Sequence, residues 1–179
     1  IMYKIIILFF TMSLSYGQIK PVDIEIVRDA FGVPHIYGKT DADTAYGLAW
    51  VHSEDDFMTI QKAYLAGNQL LSNYLANDGI IVDFLNQFIE SNKTVNELFS
   101  TLSDDFIKIL EAYSQGINRY AELHPEEVLV KNLFPITPKK MLNYSFLQLF
   151  ISNGADQLVS KIISNNTVDL SNLGINDDI

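Results

Sequence analysis

Residues 27–56 read VRDAFGVPHIYGKTDADTAYGLAWVHSEDD, and their spacing decides how the rest of the chain is read. Just upstream, Val22, Ile24 and Ile26 alternate with Asp23, Glu25 and Val27, the period-two pattern of a strand with one buried face. Gly32 can supply the positive φ of a tight turn, and Pro34 restricts the start of a return strand through His35-Ile36-Tyr37-Gly38. Thr40 and Asp43 have the spacing of a capping box, in which each side chain accepts the other's backbone N–H. Apolar residues then recur at helical spacing: Ala42, Ala45, Tyr46, Ala49 and Trp50. The stretch is a hairpin followed at once by a helix.

Working outward, Ser53 and Asp56 repeat the capping device, so the helix should kink or restart there with Glu54, Asp55 and Asp56 in its first turn. Phe57, Ile60, Tyr64, Leu65, Leu70, Leu71, Tyr74 and Leu75 carry helical character to about Ala76, where ANDG breaks it. Shorter helices are expected over 80–90 and 95–102. Ser103 opens the clearest helix, with Phe106, Ile109, Leu110, Tyr113, Ile117 and Tyr120 on one face, ended by Pro125. Thr137-Pro138 is an N-cap with proline at the first helical position, and Met141, Leu142, Phe146, Leu149 and Phe150 follow towards Asn153-Gly154. A lone two-stranded hairpin is marginal in water, so these strands should join a larger sheet supplied by other residues.

The chain has 179 residues, 48% of them apolar, with net charge −10 and no cysteine. That suffices for one domain with a real core. It argues against nucleic acid or an anionic membrane as partner, and excludes disulfides and thiolate chemistry. Met2-Tyr3-Lys4, an apolar run over 5–12 and small residues to Gly17 read as a signal peptide over 1–17, which predicts a periplasmic or secreted protein. The run is shorter than the ~20 residues of a membrane span. The domain is expected over 18–154, with 155–179 a loose tail or the start of a spacer.

No complete active site is legible. His35, His52 and His124 lack HExxH or i, i+4 pairing, and are expected to be structural. Glu54-Asp55-Asp56 and Asp104-Asp105 fall at helix starts, where exposed N–H groups favour carboxylates. Arg28 and Asp29 are expected to hold the hairpin. No G-x-S-x-G elbow occurs.

DIEIVRDAFGVPHIYGKTDADTAYGLAWVHSEDDF resembles the opening of the α-chain region of the penicillin acylase family of N-terminal nucleophile hydrolases. LEAYSQGINRYAELHPEE and LFPITPKKMLNYSFLQLF resemble its later hallmarks, in the same order. AYGLAWVHSEDDF and HPEEVLVKNLFPITPKKML look closer to the acyl-homoserine-lactone acylase branch. The resemblance implies an α+β fold of αββα architecture when complete, this chain being mostly α-helical with an N-terminal β-hairpin. It implies a secreted precursor that cleaves itself before a serine, whose hydroxyl attacks the amide and whose own α-amine is the base. None of the 9 glycines is followed by Ser, Thr or Cys, so that Gly–Ser junction is expected on a downstream β chain, and no catalytic residue is assigned here.

By the same resemblance, the helix after Thr137 runs towards an acyl pocket, and Leu149, Phe150 and Asn153 are its expected lining; helix core packed on the β chain is an equal alternative. Penicillin acylase also carries a glutamate calcium ligand beyond that helix. No Glu follows Glu127, so no metal ligand and no cofactor are assigned to this chain, while the resemblance leaves calcium open for the complete enzyme. The expected partners are the β chain and a small N-acyl amide. The rival function is a secreted helical binding module without catalysis.

Overall fold

The computed structural model describes residues 24–154 together with Gln157, Val159 and Lys161. The expected signal peptide, Val22 and most of the expected tail lie outside the described residues.

Strands β1 (Glu25–Arg28) and β2 (Pro34–Tyr37) pair antiparallel, with Ile26 opposite Ile36 and Val27 opposite His35. Among the described residues the delimited helices are α1 (Asp41–Gly67), α2 (Ser72–Leu75), α3 (Asn77–Phe88), α4 (Ser91–Leu98), α5 (Asp104–Leu123) and α6 (Pro138–Ser152). Short 3-10 turns occupy Phe99–Thr101, Pro125–Glu127 and Lys131–Leu133. The chain is mostly helical with one N-terminal hairpin, as its sequence predicts.

The Thr40 capping box is present in both directions: Asp43 N–H donates to the Thr40 hydroxyl at 3.1 Å, and Thr40 N–H donates to Asp43 at 3.0 Å. The inner hairpin face, Ile24, Ile26 and Ile36, rests on α1. Gly47 makes that seat, since a Cβ there would lie 2.6 Å from Ile36 Cγ2. Further along, α1 and α5 pack along their length around Ala49, Leu65 and Ile117, each 0% exposed. Leu65 and Ile117 each contribute ~1.5–3 kcal/mol by burial, and the Ala49 methyl less. Trp50 and Phe57 set their rings edge-on to Tyr120, with centroids 5.4 and 5.0 Å away. A polar contact closes the end of the block. Gln61, 1% exposed, donates to Glu127 O at 3.0 Å and accepts from Leu129 N–H at 2.8 Å, pinning the loop after α5.

Three boundaries and one core position differ from the sequence expectation. Helix α1 ends at Gly67, not near Ala76. A Cβ at Gly67 would meet Tyr144 backbone at 2.4 Å, and Gln69 takes φ 57, so a tertiary contact with α6 stops the helix. ANDG opens α3 instead of forming a loop; the break is Ala76 alone, at φ 48. The helix expected over 95–102 starts earlier, as α4, and ends in a 3-10 turn. Phe106 is 42% exposed and leaves the α5 core stripe.

Helix α6 is apolar on two faces. Met141 and Leu147 are buried, and Tyr144 and Ile151 pack beside them, while Leu142, Phe146 and Leu149 look onto α4 and the turn after it. The sequence reading picked out chiefly the second face. Among the described residues no helix is long and apolar enough to cross a membrane.

Candidate functional site

The acids and cations of the opening stretch converge where the hairpin meets α1. Arg28 donates to Gly32 O at 2.9 Å, to Asp55 at 2.7 Å and to Glu54 at 3.2 Å. Trp50 Nε1–H donates to the other Glu54 oxygen at 2.7 Å. Asp29 accepts the N–H groups of Phe31 and Val33 at 2.9 and 3.0 Å, and these hold its carboxyl below the ordinary carboxylate range. Arg28 and Asp29 therefore brace the hairpin, as expected.

The kink falls where expected but is built differently. Asp56 is the non-helical residue, at φ −159 and ψ 72, and it caps the second half of α1 by accepting Thr59 N–H at 3.0 Å. Hydrogen bonds from Thr59 lower the Asp56 pKa. Ser53 is buried and donates to Ala49 O at 2.8 Å, so it caps nothing. Glu54 and Asp55 hold Arg28 instead of forming a first turn. The carboxylates are occupied as struts, and no acid–base pair results.

Each histidine has a local partner. His35 Nε2 is 3.4 Å from Asp29, and His52 Nδ1 is 2.9 Å from the Tyr113 hydroxyl. His124 stacks on Tyr120 at a centroid distance of 4.2 Å. Its Nδ1 also lies 3.8 Å from Glu126 and 3.6 Å from Glu127, a trio whose ligand atoms fall within 4.8 Å of one another. The sequence reading missed this grouping, because HPEE was read only as a helix stop. One imidazole and two carboxylates fall short of the roughly six to eight oxygens a calcium ion takes, so the residues do not fit that ion. Ser53, Ser114 and Ser145 donate to helix carbonyls, and none of them is paired with a histidine.

The residues expected at an acyl pocket lie at the C-terminal end of α6. Leu149, 61% exposed, lines an almost wholly apolar groove of ≈ 200 Å³ with Val95, Leu98, Phe99, Leu142 and Phe146. Phe150 packs on Phe146 with centroids 5.2 Å apart. Asn153 is the helix C-cap and donates to Leu149 O at 2.6 Å, so it serves its own helix. The structure thus brings Leu149 and Phe150 to one apolar ledge and turns Asn153 back. The opposite wall escaped the sequence reading, although Val95, Phe99 and Leu102 recur at i, i+4, i+7. A groove of this kind can hold a hydrocarbon chain and supplies no charge.

Known proteins share this chain's pattern. The family model described as penicillin amidase matches residues 23–164. Penicillin G acylase of Escherichia coli is 26% identical over 180 residues, which cover 92% of this chain and 20% of that protein. Acyl-homoserine lactone acylase QuiP of Pseudomonas fluorescens is 28% identical over 98 residues, 55% of this chain and 12% of that protein. A thermostable penicillin G acylase from Alcaligenes faecalis superposes with TM-score 0.60 at 18% identity, covering 84% of this chain and 79% of that one, a likeness of fold. The chain spans about a fifth of the length of the E. coli relative.

Proposed function

This chain belongs to the penicillin amidase family, and from that membership we propose that it forms the α segment of a secreted or periplasmic acylase. The enzyme hydrolyses the amide bond of N-acyl substrates, acyl-homoserine lactones by preference and penicillins as a second class. The nucleophilic serine is the first residue of a β chain released from the same precursor, completing an αββα core. The family match carries the proposal, because it runs from the hairpin through α6 without interruption. The unfinished surfaces support it: α3 leaves Ile80, Ile81, Phe84 and Phe88 from 48% to 63% exposed, and Phe31 at the hairpin turn is 92% exposed. Apolar surface of this extent ordinarily marks an interaction face.

The chemistry needs little from this segment beyond shape. An α-amine titrates near ~7.7–8.0, so a terminal serine carries its own base at neutral pH. The α segment contributes the acyl side: Leu149 and Phe150 line the pocket, with Asn153 holding the end of their helix. Each methylene buried there contributes ~0.8 kcal/mol to binding.

Protein from the complete reading frame is assayed for amine release from decanoyl-homoserine lactone and from penicillin G. Hydrolysis of either substrate that weakens at least several-fold for Leu149→Asp supports the proposal. Failure to release amine from any N-acyl amide refutes it.

A further inference from the structure

Between the inner hairpin face, α1 and the last turns of α5 lies a second cavity, of ≈ 290 Å³. Ile24 and Ile26 form one wall, Tyr46 and Trp50 another, and Arg119 and Leu123 close it. It shares no residue with the α6 groove.

Two polar groups distinguish this cavity from a simple packing gap. Tyr46 is 6% exposed, yet its hydroxyl makes no hydrogen bond among the described residues. Its oxygen is not sealed from solvent, so the hydroxyl is open to a ligand in the cavity. Burial raises its pKa, Arg119 lowers it and Glu122 raises it, so the phenol oxygen lies in the field of both the guanidinium and the carboxylate paired with it. Arg119 gives one nitrogen to Glu122 at 3.1 Å, and the guanidinium retains further N–H donors. The site therefore offers a cation and a hydroxyl at the edge of an aliphatic and aromatic cavity.

We infer that this cavity binds a monocarboxylate with a compact apolar body. Its oxygens accept from Arg119 and from the Tyr46 hydroxyl, and its hydrocarbon lies against Ile24, Ile26 and Trp50. A cation is repelled by Arg119, and a plain hydrocarbon leaves both donors unsatisfied. Glu122 repels any anion to some degree, and a dianion such as a phosphate monoester more strongly than a monocarboxylate. At about 30 Å³ per water-sized atom, the volume admits roughly ten non-hydrogen atoms. Hydrolysis of an N-acyl amide releases an acid of this class, so under the proposed function the site also holds product; the binding does not depend on that reaction.

Calorimetric titration of protein from the complete reading frame with octanoate, octanamide and octyl phosphate tests the assignment without any turnover. Octanoate is expected to bind with a Kd below about 1 mM, and the other two at least tenfold more weakly. Arg119→Gln should weaken octanoate about tenfold and Tyr46→Phe several-fold, while Lys108→Ala at the exposed start of α5 changes nothing. Leu123→Trp fills the cavity and should abolish binding with the thermal midpoint retained, which keeps the test sound if Arg119→Gln folds poorly. Octanoate binding that ignores the Arg119, Tyr46 and Leu123 variants overturns the assignment. So does an equal loss with Lys108→Ala, equal binding of octanamide, or no binding because another polypeptide fills the cavity.

Discussion

The seam between α1 and α5 and the outer face of α3 are built from the same kinds of residue and end in opposite states. Along the middle of the seam the apolar residues are buried against one another. Ala49 and Ile117 are fully buried, and Gly116 lets α5 approach so closely that a Cβ there would sit 2.6 Å from Tyr46 O. On α3, Leu85 and Val82 face inward to Leu147 and Val159, but Ile80, Ile81, Phe84 and Phe88 face away from them. The seam is a finished interior, and the α3 face stays open among the described residues. A chain that follows helical periodicity on both sides of a helix is specifying two interfaces, of which one is internal.

Substitutions at the two regions should separate accordingly. Ile117→Ala removes a fully buried side chain at the centre of the seam and should cost about 3–4 kcal/mol, read by denaturant unfolding. Equal stability in that variant would show that the seam is not the core. Gly116→Ala places its methyl 2.8 Å from Ala49 Cβ and should cost about 2 kcal/mol by forcing the helices apart. Thr40→Ala loses one side of the capping box and should cost about 1 kcal/mol, with the loss confined to the start of α1 in hydrogen exchange. Ile81→Ser on the outer α3 face, 54% exposed, should change stability by no more than about 0.5 kcal/mol while reducing self-association. A large loss there would mean that the face is already packed.

The smallest effect is one of pH. Asp29 has a folded-state pKa lowered by the N–H groups of Phe31 and Val33, with His35 adding to the effect. Its contribution to the hairpin turn is therefore present above the ordinary carboxylate range and is lost as pH falls through the lowered value. Exchange of the Phe31 and Val33 amides, followed from neutral pH downward and corrected for intrinsic rates, should accelerate in that window. Asp29→Asn should remove the pH dependence.

What the sequence showed clearly was local. The Thr40 box, the Gly32 turn, the Ser103 cap and proline at the start of α6 are set by neighbours within four residues, and all four stand. The misplaced features depend on distant partners. The end of α1 is dictated by Tyr144 backbone against Gly67. The Asp56 cap was assigned three residues early because Ser53 has the better capping side chain, and burial against Ala49 O claimed it instead. On α6, Asn143 disguised the buried face: it is 4% exposed and donates to Asn68 and Asn92 from within a stripe that composition marks as polar. Leu149 and Phe150 were singled out through the family resemblance, whereas the wall opposite them carried a helical repeat at Val95, Phe99 and Leu102 that the reading passed over. The Arg28 brace was half legible, since its hairpin end is local and its Glu54 and Asp55 end lies 26 and 27 residues away.

The account rests on the α3 and hairpin faces being completed by a second polypeptide cut from the same precursor. Intact-mass and N-terminal sequence determination on the purified product of the complete reading frame tests this most directly. Two co-purifying chains, the smaller containing residues 24–154 and the other beginning with serine, are the expected result. One uncleaved polypeptide, monomeric and with Ile81 and Phe88 still open to solvent, would contradict it.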